Sequence, residues 1–396
     1  MSRAATVADD VTVEALTRDP FPIYTELRRA APVCYVPAVD LWFVTRWADV
    51  IDAAENREHF PASMPGSPLD RTLGGANVLT VDGQTHAHMR DPMETTLRPK
   101  AVEERAPEIV RRVADELIDG FVDEGEAALM GAFCEPFSVL TLAEMIGLRE
   151  LDAATLQRWF HELAMGTSNY EGDPAKQAIA DRVSVEIDDT LRPLFAELLE
   201  RPDGTMVSDM LHAEEGDLDE RMRAFMPSLK LALIGGLQEP GDGMGSTVAG
   251  LLQNPDQAEA LRADLDGLVK RAVDEGLRWI SPIGTQGRAS ADGAALGGVE
   301  IPDGANVALM VQSANRDEEE WGSDADRFDL FRARHPHAAF GFGPHFCVGH
   351  YLARWQVRTG IRRLFERIPS LRLDGEVRFS GWEYRGPSQL PVRWDA

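Results

Sequence analysis

The sequence predicts a mostly α-helical fold with small β-sheets, and three observations lead there. Long stretches carry apolar residues at helical spacing. The strand-like pieces are few and short. No Gly/Ser-rich linker, repeat or low-complexity tract divides the 396 residues. In chain order, residues 33–35 and 41–44 read as short strands, and residues 103–121, 153–165 and 175–199 as helices. Residues 221–252 form a longer helical run in which Pro240 has no N–H, so the Gly236 carbonyl loses its partner and the helix should kink or open. Residues 261–279 follow as a helix and 307–311 as a strand. The run from His350 through Arg367 has good helix formers and stops just before Pro369. With 44% hydrophobic residues the chain buries a large core, and length alone allows two or three domains.

Composition narrows the function. A formal charge of −26 argues against nucleic acid, because phosphate binding needs a basic surface. The first ten residues lack the basic start and apolar core of a signal peptide, and no stretch reaches the ~18 apolar residues of a membrane helix, so a soluble, cytoplasmic protein is expected. Cys34, Cys134 and Cys347 give no disulfide framework, and the first two read as packing residues.

Cys347 is different. The segment Phe340-Gly-Phe-Gly-Pro-His-Phe-Cys-Val-Gly349 places it just before a helical run, where unpaired N–H groups and the positive dipole end favour a thiolate. The glycines in the segment let it fold tightly and let a flat macrocycle approach the backbone. The segment reads as a thiolate ligand to haem iron, with His345 in reach of a propionate. A lone buried Cys is in general a small hydrophobe, but the whole pattern FxxGxHxCxG resembles the signature of the cytochrome P450 family, whose cysteine ligand favours O–O cleavage. The resemblance implies one triangular-prism domain over residues 1–396, haem b (iron protoporphyrin IX) as cofactor, Cys347 as the metal ligand and Gly349 at the haem.

Further motifs fall in the family's order. Glu275-Gly-Leu-Arg278 is similar to its ExxR motif, and Arg327-Phe328, after Ala314-Asn315-Arg316-Asp317, to its later Arg-Phe segment. In the family these make a Glu-Arg-Arg network that fixes the cysteine loop. Glu275 and Arg278 taken alone are an ordinary i,i+3 pair. The stretch Asp82-Gly-Gln-Thr-His86-Ala-His-Met-Arg90 resembles the helix that holds haem propionates, with His86 and Arg90 four residues apart on one face. Arg288 stands where a further propionate-binding arginine is usual, and charged donors suit buried carboxylates. His88 departs from the usual arginine and is expected to face outward. Arg354, Arg358 and Arg362 recur on one helix face, either a dock for an acidic electron-transfer partner or an ordinary solvated face.

The main departure lies in Gly235-Gly236-Leu-Gln238-Glu239-Pro240. The family usually carries an acid and a threonine where this chain has Gln238 and Glu239, and that pair organises water and moves protons during O–O cleavage. Gln238 and Glu239 cannot reproduce the relay unchanged. Glu239 suits a second route, in which it moves a proton between the two oxygens of hydrogen peroxide as a general acid–base. That would be peroxygenase chemistry. The plain alternative has Glu239 turned toward backbone or water. Gly235 and Gly236 leave room above the iron.

The family's pocket regions offer Met64, Leu73, Val78, Leu231, Gly235, Ile283, Thr285 and Tyr384, with Phe160 or Trp159 from the region between. This largely apolar lining suits a small neutral or phenolic aromatic. The Gly-Gly-Leu-Gln-Glu-Pro run resembles bacterial enzymes that O-demethylate lignin-derived methoxyphenols such as syringol and guaiacol. That implies a phenol and formaldehyde as products, with hydrogen peroxide, or dioxygen and a ferredoxin/reductase donor, as co-reactants. Three alternatives stay open: a hydroxylase of a terpenoid or polyketide, a haem-thiolate sensor or binding protein, and a haem-free enzyme with Cys347 as nucleophile.

Overall fold

The computed structural model describes residues 7–64 and 66–395; residues 1–6 of the stretch read for a signal peptide lie outside the described residues. Four strands make the largest sheet: β1 (Val33–Val36), β2 (Leu41–Val44), β3 (Thr285–Ala289) and β4 (Asn306–Met310), in the order β1-β2-β4-β3. β1 and β2 form a hairpin, β2 runs parallel to β4, and β3 returns antiparallel to β4. Alternation along the strands fills both faces. Leu41, Phe43, Ala308 and Met310 pack into one apolar cluster, and Val44, Val307 and Leu309 into another.

The helices that frame the site are α1 (Gly83–Leu97), α2 (Pro99–Asp119), α3 (Glu135–Ile146), α4 (Leu218–Leu237), α5 (Glu239–Gln253), α6 (Leu265–Trp279) and α7 (His350–Arg367). α7 packs on α2 and α5, and α5 on α6 and α3. Their apolar faces join the main core cluster. Gly276 of α6 meets α5 where a β-carbon would run into Thr247, so glycine sets the close approach of these helices.

The run 221–252 divides into α4 and α5 at Gln238 (φ −102°, ψ −39°). The opening lies two residues before Pro240, because the proline at the second position of α5 starts a helix as readily as it interrupts one. The run 261–279 also divides, at Asp264, whose side chain accepts from the Gly267 N–H at 2.9 Å and caps α6. Other expected elements agree within a few residues, and α7 spans the expected 350–367. Among the described residues no helix is long and apolar enough to cross a membrane.

Candidate active site

A cavity of about 340 Å³ lies between the loop before α7 and the opening between α4 and α5. Its floor is residues 339–341 and 345–349, closed by the Cys347 N–H donating to the Phe340 carbonyl at 2.9 Å. Gly343 makes the turn at φ +69°, and a β-carbon there would come within 2.5 Å of the Ala54 carbonyl oxygen. Gly349 caps α7, so Cys347 sits two residues before its N-terminal end, as the sequence implies. The thiol faces the cavity. Burial nevertheless pushes it up, while the Gly349 backbone N–H holds it down. Desolvation therefore outweighs the dipole that the sequence emphasises.

Positive and polar donors gather along one edge. His86, Arg90 and His345 line the cavity, with the two imidazole rings 4.3 Å apart. Burial, then His345, then Arg90 push His86 down to about 4, and its Nε2 has no partner. His345 Nε2 lies 3.0 Å from Asp82 Oδ1, and Arg90 Nε donates to Glu94 at 2.6 Å. Arg288 stands behind this edge, outside the cavity lining, with Nη2 unpartnered and burial lowering it to about 10. His88 faces outward, 3.3 Å from Glu214. Asp82, which the sequence reading passed over, also accepts from the Ala62 N–H at 2.7 Å, tying the start of α1 to two loops. The signal for it was an acid just before a helix, but its side chain makes no cap.

The loop is held from the side by α6. Glu275 takes two bonds from Arg278 at 2.8 Å, and Arg278 also donates to the carbonyls of Asn315, Ala325 and Arg327. Asn315 passes this on, its Oδ1 accepting from the Ala338 N–H at 2.7 Å. Arg327 is a correction. Its side chain is exposed and only its carbonyl joins the network, while Arg332 reaches Glu275 Oε1 at 3.2 Å. The turn after Phe328 sends Arg327 to solvent and folds Arg332 back over Glu275.

The roof departs from the expectation in part. Glu239 is 7% exposed and lines the cavity, and neither carboxyl oxygen has a hydrogen-bond partner. Burial first, and Asp242 as well, push it well above the carboxylate range. Gln238 does not line the cavity; its Nε2 donates to Asp242 Oδ1 at 3.3 Å. Burial raises Asp242 to about 7 against that bond. Gly235 opens the roof, with nothing within 4 Å of where a β-carbon would stand, whereas a β-carbon on Gly236 would press Leu142 at 2.9 Å.

Met64, Val78, Leu231, Ile283, Thr285 and Tyr384 line the cavity. Leu73 and Phe160 do not. Leu73 closes a short helix into the main core, and Phe160 stands behind Tyr384, edge-on with centroids 5.6 Å apart. Trp159 turns away to Glu186. Tyr170 and Glu383 also line the cavity, among other residues the sequence reading did not single out, and they meet there from segments far apart in the chain. On the outer face of α7, Arg354 reaches Asp274 and stacks over Phe340, Arg362 pairs with Asp266 and Glu366, and Arg358 stacks over Trp355. Carboxylates thus meet two of the three charges, which leaves little basic patch.

The residues present fit a large, flat, anionic cofactor. Cys347 lines the cavity, a glycine turn shapes its floor, buried His86 Nε2 lacks a partner at its edge, and buried Arg288 Nη2 lacks one behind that edge. Comparison with known proteins agrees. The family description "Cytochrome P450" matches residues 256–368. Cytochrome P450 107B1 of Saccharopolyspora erythraea is 32% identical over 382 residues, covering 90% of each chain. The 6-deoxyerythronolide B hydroxylase of the same organism is 29% identical over 413 residues, 98% of this chain and 100% of that one. A solved structure of P450BioI, in complex with a hexadec-9Z-enoic acid ligated acyl carrier protein, superposes with a TM-score of 0.86 at 26% identity, over 96% of this chain and 100% of that one. Its fold is therefore the haem b-binding P450 fold, and the chain belongs to the cytochrome P450 family.

Proposed function

We propose that this chain oxidises an sp3 carbon of a small, neutral aromatic, and that the carbon is the methyl of an aryl methoxy group. When bound, the haem supplies the oxidising power. Cys347 would hold the iron, Gly349 would let the cofactor lie close, and His86, Arg90, His345 and Arg288 would neutralise the propionates. Glu275, Arg278 and Arg332 would fix the cysteine loop. Hydroxylating an O-methyl carbon gives a hemiacetal, which collapses to a phenol and formaldehyde.

The observation that carries the substrate class is the cavity lining. Between the Cys347 floor and the open Gly235 roof it offers apolar contact from side chains such as Met64, Val78, Leu231 and Ile283 with few polar groups, which suits a compact neutral ring such as syringol or guaiacol. Glu239, buried and unpartnered in the roof, supports proton handling by a carboxyl in place of the usual alcohol. Peroxide would then suffice as co-reactant, with dioxygen and a ferredoxin/reductase donor as the other supply.

The relatives favour a second reading, hydroxylation of a terpenoid or polyketide, because one of them is named as a hydroxylase of 6-deoxyerythronolide B. Both readings begin with the same C–H hydroxylation and differ in whether the carbon bears oxygen. Titrating ferric protein with syringol and guaiacol, then adding peroxide and assaying formaldehyde, separates them. A Soret shift to high spin with formaldehyde release is expected. Shifts with bulky scaffolds and none with methoxyphenols would give the second reading. We also place the chain in the cytoplasm as one domain.

A further inference from the structure

One polar cluster in the cavity belongs to neither the cofactor edge nor the roof. Glu383 is 9% exposed and lines the cavity. Its Oε2 accepts from Thr285 Oγ1 at 2.7 Å, whereas Oε1 has no hydrogen-bond partner. Tyr170 also lines the cavity and stands close to this carboxyl. Beside it the Tyr384 hydroxyl shares a 2.9 Å hydrogen bond with Thr167 Oγ1. The cluster is rigidly mounted: the Gly284 N–H donates to the Glu383 carbonyl at 2.8 Å, and Ile283 pairs with Tyr384.

A buried carboxyl oxygen without a partner is costly, and a ligand that supplies a donor relieves the cost. Thr285 orients the carboxyl through Oε2, so the free oxygen is fixed in place. Much of the remaining lining offers aliphatic contact, from side chains such as Met64, Val78, Leu231 and Ile283. We propose that Glu383 Oε1 accepts a hydrogen bond from a hydroxyl group of the substrate, making it the residue that selects a hydroxylated, otherwise apolar molecule. This rests on the reading that the cavity is the substrate site. A phenol carrying a methoxy group satisfies it, and its fully methylated ether does not.

The test titrates the ferric holoprotein with 1-phenylimidazole and its 3- and 4-hydroxyphenyl derivatives, which reach haem iron through the azole nitrogen whatever the natural substrate. At least one hydroxyl isomer should bind about tenfold tighter than the parent, the worth of one buried hydrogen bond. That advantage should fall below about threefold in Glu383→Leu, with an unchanged ferrous–CO spectrum. No advantage in the wild type, or an advantage that survives the substitution, overturns the proposal. If the leucine variant fails to retain haem, Glu383→Met, of similar length and without an acceptor oxygen, decides, and an undiminished advantage there also overturns it. Syringol and 1,2,3-trimethoxybenzene are titrated in parallel. An azole advantage without syringol binding rejects the methoxyphenol reading and leaves the Glu383 subsite standing.

Discussion

The proposed proton chemistry turns on one residue, Glu239. A carboxyl with neither oxygen bonded, pushed well above the usual carboxylate range by burial, is biased toward its protonated form and suits giving and retaking a proton. A threonine there would offer a hydroxyl of fixed protonation. Glu239→Thr should therefore lower peroxide-driven turnover at least about tenfold and raise turnover driven by a reductase. Steady-state formaldehyde release with each oxidant checks this, and unchanged peroxide activity would remove Glu239 as the acid–base. Gln238 has a different role from the one its position implies, since it bonds Asp242 and turns from the cavity.

Among the elements, the link from α6 to the cysteine loop carries the most consequence. Arg278 spends its guanidinium on Glu275 and three backbone carbonyls, and Asn315 relays that anchorage to Ala338 at the loop's start. Arg332 completes the shell around Glu275 with its side chain 10% exposed. Arg332→Ala should cost about 1–3 kcal/mol of stability and weaken haem retention, because it removes a charge-assisted bond to buried Glu275 together with the bonds from Arg332 to the Trp321, Asp324 and Arg327 carbonyls. Arg327→Ala removes an exposed side chain and leaves the carbonyl, so it should change stability by less than about 0.5 kcal/mol. Urea unfolding of both variants distinguishes this arrangement from one in which Arg327 is the third member.

For the whole molecule, the acidic balance matters less than the carboxyls buried against it. Asp242 reaches about 7, first because of burial and further because of Glu135, despite the bond from Gln238. A carboxyl whose folded value is raised supports the fold when protonated, and that support is lost as pH climbs from the unfolded value of about 4 through the folded value of about 7. Asp242→Asn keeps an acceptor for Gln238 and cannot ionise. Thermal melts should show it gaining more over wild type at pH 8 than at pH 5, by at least about 2 °C. Equal gains at both pH values would mean that Asp242 is not the group responsible.

The helical class, the α7 boundaries, and the places of Cys347, His86, Arg90 and His345 at the cavity were legible in the chain alone. Each of these depends on a local pattern: helical periodicity, a glycine-cysteine segment, or an i,i+4 spacing. The remainder lies between segments far apart in the chain. Arg332 in place of Arg327, Gln238 turned to Asp242, Leu73 and Phe160 withdrawn into the core, and Glu383 beside Tyr170 all follow from which backbone turns face inward. Motif spacing fixes which residues are neighbours along a helix. It does not fix which side of a turn the side chain leaves, since packing and desolvation across distant segments settle that.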